Sequence, residues 1–228
     1  MTPLPDPAAL AALREAGVAE PLAERLAVYA ALVLAANRRL NLTGAKDGTA
    51  FAAHIADALT LAADVVGPLI DVGSGNGVPG IPLALATGVR VTLLEPIKKR
   101  STFLADALSR LGLAGEAVAG RAEDVARDPA YRERFGTATA RAVASAPTVA
   151  ELTVPFLAIG GRALLQRGSL QKAERNAVGD AALVLGAELV EERALDGERR
   201  VLVLAKRAPT SPRFPRKNGI PAKRPLCS

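Results

Sequence analysis

One cysteine, one histidine, one methionine and no tryptophan occur in the 228 residues of this chain. The cysteine, Cys227, has no second thiol for an internal disulfide, which suits a reducing compartment. A single histidine and no cysteine cluster make a metal site unexpected. Aromatic residues amount to 3% although half of all residues are hydrophobic, so the core is expected to be built of Ala, Leu and Val. Long apolar runs are also missing. The longest uncharged stretch, residues 72–89, carries five glycines and two prolines and does not suit a membrane-spanning helix. The opening MTPLPDPAAL lacks a basic segment and contains Asp6, so it does not read as a signal peptide. Without secretion the sequon Asn41-Leu42-Thr43 has no force. A cytoplasmic protein of one generous domain, or of a domain with a small appendage, is expected.

Acidic residues are absent from one particular place. Residues 206–228 hold seven basic residues (Lys206, Arg207, Arg213, Arg216, Lys217, Lys223 and Arg224) and no acidic one. The other 22 basic residues face 23 acidic residues in 1–205, so the net charge of +6 comes from the tail. Such a segment favours a polyanion, with RNA the leading candidate, and the same composition also fits a disordered solubilising tail. Its five prolines (Pro209, Pro212, Pro215, Pro221 and Pro225) argue against helix and for an extended strap laid on a surface.

The most informative segment that is present is DVGSGNGVPG, residues 71–80, between the apolar runs 68–70 and 81–86. Its pattern is strand, tight glycine loop, helix. Eighteen residues beyond Gly77, a second apolar run ends in Glu95, the place where a Rossmann-like sheet holds a nucleoside ribose. Gly75, Gly77 and Gly80 satisfy a dinucleotide pattern, whereas Asp71, Gly73, Gly75 and Gly77 satisfy the D-x-G-x-G-x-G pattern of S-adenosylmethionine (SAM) enzymes. Asp71 separates the two. Its carboxylate would face a pyrophosphate in one case and an ammonium and a sulfonium in the other. At ~6 Å and an effective dielectric of ~20, a unit pair interacts by roughly 3 kcal/mol, and the sign favours the cationic cofactor. No GK[ST] follows the loop, so a nucleoside triphosphatase is not indicated.

Helical spacing covers 7–17, 21–37 and 48–65, which reads as a small helical cap over 1–66. Strand and helix then alternate. Strands are expected at 68–72, 90–95, 115–119, 137–143 and 161–166, and helices at 79–87, 98–111, 147–158 and 169–185. A loop is expected over 120–124. Two β runs, 187–195 and 199–206, flank Asp196-Gly197-Glu198, a hairpin signal. The expected fold is α/β and Rossmann-like: a seven-stranded, mostly parallel sheet with a C-terminal antiparallel hairpin. The expected divisions are a cap over 1–66, a SAM-binding domain over 67–206 and a basic Pro-rich strap over 207–228.

In order along the chain stand NLT (41–43), HIADAL (54–59), DVGSGNGVPGIPLA (71–84), RAEDV (121–125), ARAVAS (140–145), ALDGERRVLV (194–203) and PRKNGIPAKRPL (215–226). With these the chain closely resembles the bacterial RsmG family, which methylates N7 of one guanine in 16S rRNA. The likeness covers about 20–226; GVPGIPLA and the terminal PRKxGxPxKxPL are its most specific parts. The resemblance implies the Rossmann-like SAM-dependent methyltransferase fold, SAM as cofactor, and 16S rRNA or a small-subunit particle or precursor as partner. It implies cofactor contacts from Asp71, Gly73, Gly75, Gly77, Val78, Glu95, Ala122, Glu123 and Arg141. Gly73 and Val78 would line the methionine end, Ala122 and Glu123 would flank the adenine, and Glu95 would take the ribose hydroxyls. Many relatives carry Lys-Gly where this chain has Arg167-Gly168, a change that keeps charge and alters geometry. A monomer acting away from any membrane is expected.

Exclusion narrows the chemistry. Cytosine-C5 methylation needs a cysteine nucleophile in the site, and Cys227 lies in the tail. Exocyclic adenine methylation usually shows an Asn/Asp-Pro-Pro-aromatic stretch, and no Pro-Pro pair occurs. Guanine N7 carries an in-plane lone pair and no proton, so no general base is nominated and placement with exclusion of water suffices. N7 lies in the deep groove of A-form RNA, so a loop or splayed base is the expected target. RNA contacts are expected from Arg141, Arg167, Lys98, Lys99, Arg100, Arg216, Lys217 and Lys223. Lys98, Lys99 and Arg100 fall in a helix's first turn, where cations oppose the dipole; a solvated surface cluster is the alternative. Arg141 orients guanine or cofactor, or makes a strand-end salt bridge. His54, three residues before Asp57 on one helical face, makes packing hydrogen bonds or helps place the guanine. Asn41 reads as a residue that caps or stitches the helical cap rather than one that touches substrate, and the resemblance puts it near the pocket mouth.

Two other functions compete: an NAD(P)-dependent oxidoreductase, and a non-catalytic RNA-binding protein on the same fold. Neither Tyr29 nor Tyr131 is followed by Lys four positions later, so the short-chain dehydrogenase pair is missing. Calorimetry discriminates directly. SAM is expected to bind, NAD to give no heat, and Asp71→Ala to weaken SAM binding; undiminished affinity in that variant would defeat the charge reasoning.

Overall fold

The computed structural model describes residues 4–141, 144–195 and 197–227. By backbone packing the chain divides into two compact units, Met1–Val65 with Ser74–Ala119 and Val66–Gly73 with Gly120–Ser228. The N-terminal helices therefore pack with the segment that follows the glycine loop, and the basic tail belongs to the second unit.

The first unit contains helices α1 (Pro7–Glu15), α2 (Glu20–Leu40) and α3 (Gly48–Leu59), then α4 (Gly80–Thr87), strand β2 (Val91–Glu95), α5 (Lys98–Arg110) and β3 (Gly115–Ala119). Asp6 and Asp47 cap α1 and α3, their carboxylates accepting from the amides of Ala9 and Ala50 at 2.8 and 2.9 Å. At Gly48 a Cβ would lie 1.9 Å from the Asp6 carboxylate, so glycine is what lets α3 start against α1. Of the apolar face that helical spacing gives α2 (Leu22, Leu26, Tyr29 and Val33), the last three are buried and Leu22 is half-buried, and the Tyr29 ring lies 5.7 Å from that of Phe51.

The second unit contains β1 (Leu69–Val72), α6 (Ala122–Val125), β4 (Phe135–Arg141), α7 (Ala146–Thr153), β5 (Leu157–Arg167), α8 (Lys172–Val184), β6 (Ala187–Ala194), β7 (Arg200–Lys206) and α9 (Ile220–Lys223). The seven strands form one sheet in the order β3-β2-β1-β4-β5-β7-β6. Pairs β2–β3, β1–β4 and β4–β5 are parallel, while β5–β7 and β6–β7 are antiparallel. The expected seven-stranded, mostly parallel sheet with a C-terminal antiparallel hairpin is what forms, around a core dominated by Ala, Leu and Val.

Four local expectations need correction. The loop expected over 120–124 gives way at Ala122–Val125 to one helical turn. The helix expected at 147–158 stops at Thr153 and the strand expected at 161–166 begins at Leu157; Gly160 (φ 87) bends the chain and lets the strand resume past an irregular register with β4. The tail, expected to be extended, ends in the short helix α9, and Pro221 sits in its first turn, where a missing amide costs nothing. The last two residues of the strand expected at 137–143, and Asp196 of the hairpin, lie outside the described residues.

The tail is bound along its length. Arg132 donates to the carbonyls of Thr210, Ser211 and Phe214, and Arg127 to those of Pro212 and Pro215. Lys206, counted above with the polyanion-binding cations, is instead 1% exposed. Its ammonium donates to Thr210 Oγ1 and to the carbonyls of Val154 and Leu185, and lies 3.3 Å from Glu133 Oε1. Burial holds its pKa below the usual lysine value, against the opposing pull of Glu133. The native state therefore releases this proton before the unfolded chain does, and the unfolded state binds more protons in the alkaline range below about 10.5. Stability should rise with pH in that window relative to Lys206→Met. Urea unfolding from pH 8 upward measures it, and parallel curves for the two proteins would refute the effect.

Candidate functional site

The loop after β1 turns through the left-handed region at Gly73 (φ 74), Gly75 (φ 56) and Gly77 (φ 101). It is held by its own amides: Ser74 donates to the Leu94 carbonyl at 3.0 Å and Gly77 to the Ser74 carbonyl at 2.7 Å. From α2, Tyr29 Oη donates to the Asn76 carbonyl at 2.8 Å. A Cβ at Gly77 would meet Ile81 Cδ1 at 2.6 Å and Tyr29 Oη at 3.0 Å, so this position has neither the conformation nor the space for a side chain. Val78, predicted to line the cofactor, is 7% exposed.

Glu95 ends β2 and is 3% exposed. Its Oε2 accepts from the Gly75 amide and its Oε1 from the Ile97 amide, both at 2.9 Å. An ionised carboxylate has about four lone-pair sites, so each oxygen keeps one for a further donor such as a ribose hydroxyl. Loop and acid, predicted separately, are thus directly bonded within the first unit.

In the second unit Asp71, at the C-terminal half of β1, is 1% exposed, and its Oδ1 accepts from Thr139 Oγ1 of β4 at 2.9 Å. Arg141 closes β4 and is half-buried. Ala122 and Glu123 open α6 and are 8% and 7% exposed. Glu123 Oε1 accepts from the Gly219 amide at 2.9 Å, and Asp124 Oδ2 accepts from Asn218 Nδ2 at 2.8 Å. The turn predicted to flank an adenine therefore also seats the basic tail.

The predicted RNA contacts fall into two groups. Lys98, Lys99, Lys217 and Lys223 are exposed. Arg100 is half-buried and donates to the Asn41 carbonyl at 3.2 Å. Arg216 instead grips Glu151, which is fully buried in α7: Nε lies 2.9 and 3.0 Å from its two oxygens and Nη2 lies 2.6 Å from Oε2. Arg167 donates to the Ala144 carbonyl at 2.6 Å and to Glu174 Oε1 at 3.0 Å. Both guanidinium groups are committed to the protein.

Tyr29, Thr139, Glu151 and Asn37 were missed as positioning residues. Asn37 reaches from α2 to bind the backbone of Leu42 and Thr43, while Asn41, read above as capping or stitching, caps α2 in a left-handed conformation. The left-handed Asn after a helix is a readable signal; the other contacts join residues too far apart in sequence to show a pattern. His54 is half-buried, its ring edge-on to Phe51 at 6.3 Å. Among the described residues no group of three His, Cys, Asp or Glu is placed to hold a metal, and no helix is long and apolar enough to cross a membrane.

If Glu95 holds the loop, Glu95→Ala leaves two amides without an acceptor and should cost about 2–3 kcal/mol in urea unfolding. Glu95→Gln, which keeps a carbonyl oxygen, should lose less. Equal stability of the alanine variant and the wild type would show that the carboxylate does not secure the loop.

A family model described as rRNA small subunit methyltransferase G matches residues 22–203. The protein named "Ribosomal RNA small subunit methyltransferase G" from Rubrobacter xylanophilus is 41% identical over 211 residues, covering 86% of this chain and 81% of that protein. Its namesake from Pelotomaculum thermopropionicum is 38% identical over 227 residues, covering 93% and 95%. Solved structures share the fold at low identity. One is geranyl diphosphate methyltransferase in complex with GPP and sinefungin (TM-score 0.55, 16% identity, 67% of this chain and 78% of that one). Another is a variant of MtNAS in complex with S-adenosylmethionine (TM-score 0.54, 15% identity, 81% and 75%). A match over most of the length, with relatives near 40% identity, places the chain in the rRNA small subunit methyltransferase G family.

Proposed function

We propose that this protein transfers a methyl group from SAM to N7 of one guanine in 16S rRNA. The observation that carries the reading is the glycine loop bonded to Glu95 and preceded by the buried carboxylate of Asp71, in a chain of this family. SAM supplies an electrophilic methyl group on a sulfonium. Asp71, buried and oriented by Thr139, provides the negative charge suited to a cationic ligand. Gly73, Gly75, Gly77 and Val78 form the backbone cradle, and Glu95 offers its remaining lone pairs to ribose hydroxyls. Ala122 and Glu123 flank the adenine. Arg141 orients the guanine or the cofactor.

N7 has no proton to lose, so the residues have only to hold the base in line and keep water out; no side chain is assigned as an acid or base. Lys98, Lys99, Arg100, Lys217 and Lys223 contact RNA phosphates. Arg167 and Arg216 act at one remove, holding the segment around Ala144 and the tail. The cap over 1–66, the SAM-binding body over 67–206 and the strap over 207–228 are read as functional divisions of one cytoplasmic monomer. Its substrate is the rRNA or a small-subunit particle.

Incubation with labelled SAM and 16S rRNA, naked or assembled into the small subunit, tests the reading. Label is expected on a single guanine, located by mass mapping of ribonuclease fragments. No transfer to either substrate, or transfer to another base atom, would overturn it.

A further inference from the structure

Residues 1–205 are close to neutral in sum, yet their cations are not spread evenly over the surface. Asn37 folds residues 41–43 back onto the last turn of α2 through three hydrogen bonds of 2.6–2.9 Å. That fold brings Lys46 to the wall of a cavity of about 440 Å³ shared with Arg38. A second cavity of about 670 Å³ is lined by Arg38 and Arg39. The Arg100 bond to the Asn41 carbonyl attaches the first turn of α5, with exposed Lys98 and Lys99, to the same loop. Six cations thus lie on one connected stretch of the first unit. Asp6 and Asp47, the acidic residues lining these cavities, both cap helices, where the positive end of a dipole already offsets part of their charge.

Helix stability does not account for the arrangement. Arg38 and Arg39, at the C-terminal end of α2, suit its dipole, but Lys98, Lys99 and Arg100 crowd the N-terminal turn of α5, where each cation is unfavourable. An anionic partner offsets both that cost and the mutual repulsion. From this we infer that Arg38, Arg39 and Lys46, continuous with the first turn of α5, form a second phosphate-binding surface that grips the RNA backbone separately from the C-terminal strap. The inference rests on the RNA-directed reading above and adds residues from the helical N-terminal segment to it. The cavities are open to solvent, carry Arg38, Arg39 and Lys46 among small aliphatic residues and have no aromatic lining, which fits a sugar–phosphate backbone rather than a stacked base.

The test is the salt dependence of binding to a 16S rRNA fragment, with the full chain throughout. Each lost phosphate contact lowers the log–log slope by ~0.7 to ~0.9, so Arg38→Gln/Arg39→Gln/Lys46→Gln should lower it by about 2 to 3. The pair Lys217→Gln/Lys223→Gln should lower it by a further, additive amount. SAM affinity of the triple variant should match wild type, which shows that its fold is intact, and Arg38→Lys/Arg39→Lys should keep the wild-type slope. An unchanged slope in the triple variant with SAM binding intact would overturn the second surface. If wild type binds RNA but transfers no methyl group, the proposed activity falls while the slopes still decide this surface. If wild type binds no RNA, the surface reading falls as well.

Discussion

A buried carboxylate must be given donors, and in this chain the donors are mostly loop and tail segments. Asp71, Glu95, Glu123 and Glu151 are all under 8% exposed, and leaving any of them unbonded in the interior would be costly. Glu95 takes amides from the glycine loop and from the entry to α5. Glu123 takes the Gly219 amide, and Glu151 takes both the amide and the guanidinium of Arg216. Segments that would otherwise lack regular structure are therefore pinned by a few acids on short, rigid elements. The predicted cofactor loop and the basic tail are held by the same device.

The reach of sequence reasoning follows from the distance over which each feature is decided. The glycine loop, the strand before it and the acid after β2 are local patterns, and the bond from Gly75 to Glu95 joins two features already visible. The hairpin and the apolar stripe of α2 are likewise short-range. In contrast, Glu123 meets Gly219 across 96 residues and Glu151 meets Arg216 across 65, and no periodicity encodes such pairs. The turn at 122–125 escaped because four residues carry too little period to stand out. Proline content argued for an extended tail, but what settles a segment is the set of partners it finds, here the guanidinium groups of Arg127 and Arg132.

Counting charge along the chain had a similar limit. The tail's seven cations suggested that one segment carries the affinity for a polyanion. In the folded chain Lys206 is buried, Arg216 is paired with Glu151, and Arg207 lies 3.1 Å from Glu188. The neutral sum over 1–205 concealed the opposite situation, because Arg38 and Arg39 at the end of α2, Lys46 in the loop after it and Lys98 and Lys99 in the α5 turn are left facing solvent. Net charge describes a segment, whereas binding depends on which groups the fold leaves outward.

Arg216 shows how a basic residue of the tail can serve the fold itself. Its two-pronged grip on Glu151 and its bond to the Arg224 carbonyl at 2.7 Å fix both ends of the segment that carries Lys217 and Lys223. A planar guanidinium can make these contacts together, while an ammonium would satisfy fewer of them. The exposed lysines are flexible point charges, and their useful position is set by the backbone beneath them. For the proposed methyl transfer to N7, which asks for placement rather than proton transfer, rigidity of that backbone is the quantity the fold has to supply. Under the proposed function, the buried carboxylate of Glu151 sets the position of Lys217 and Lys223 through its grip on Arg216.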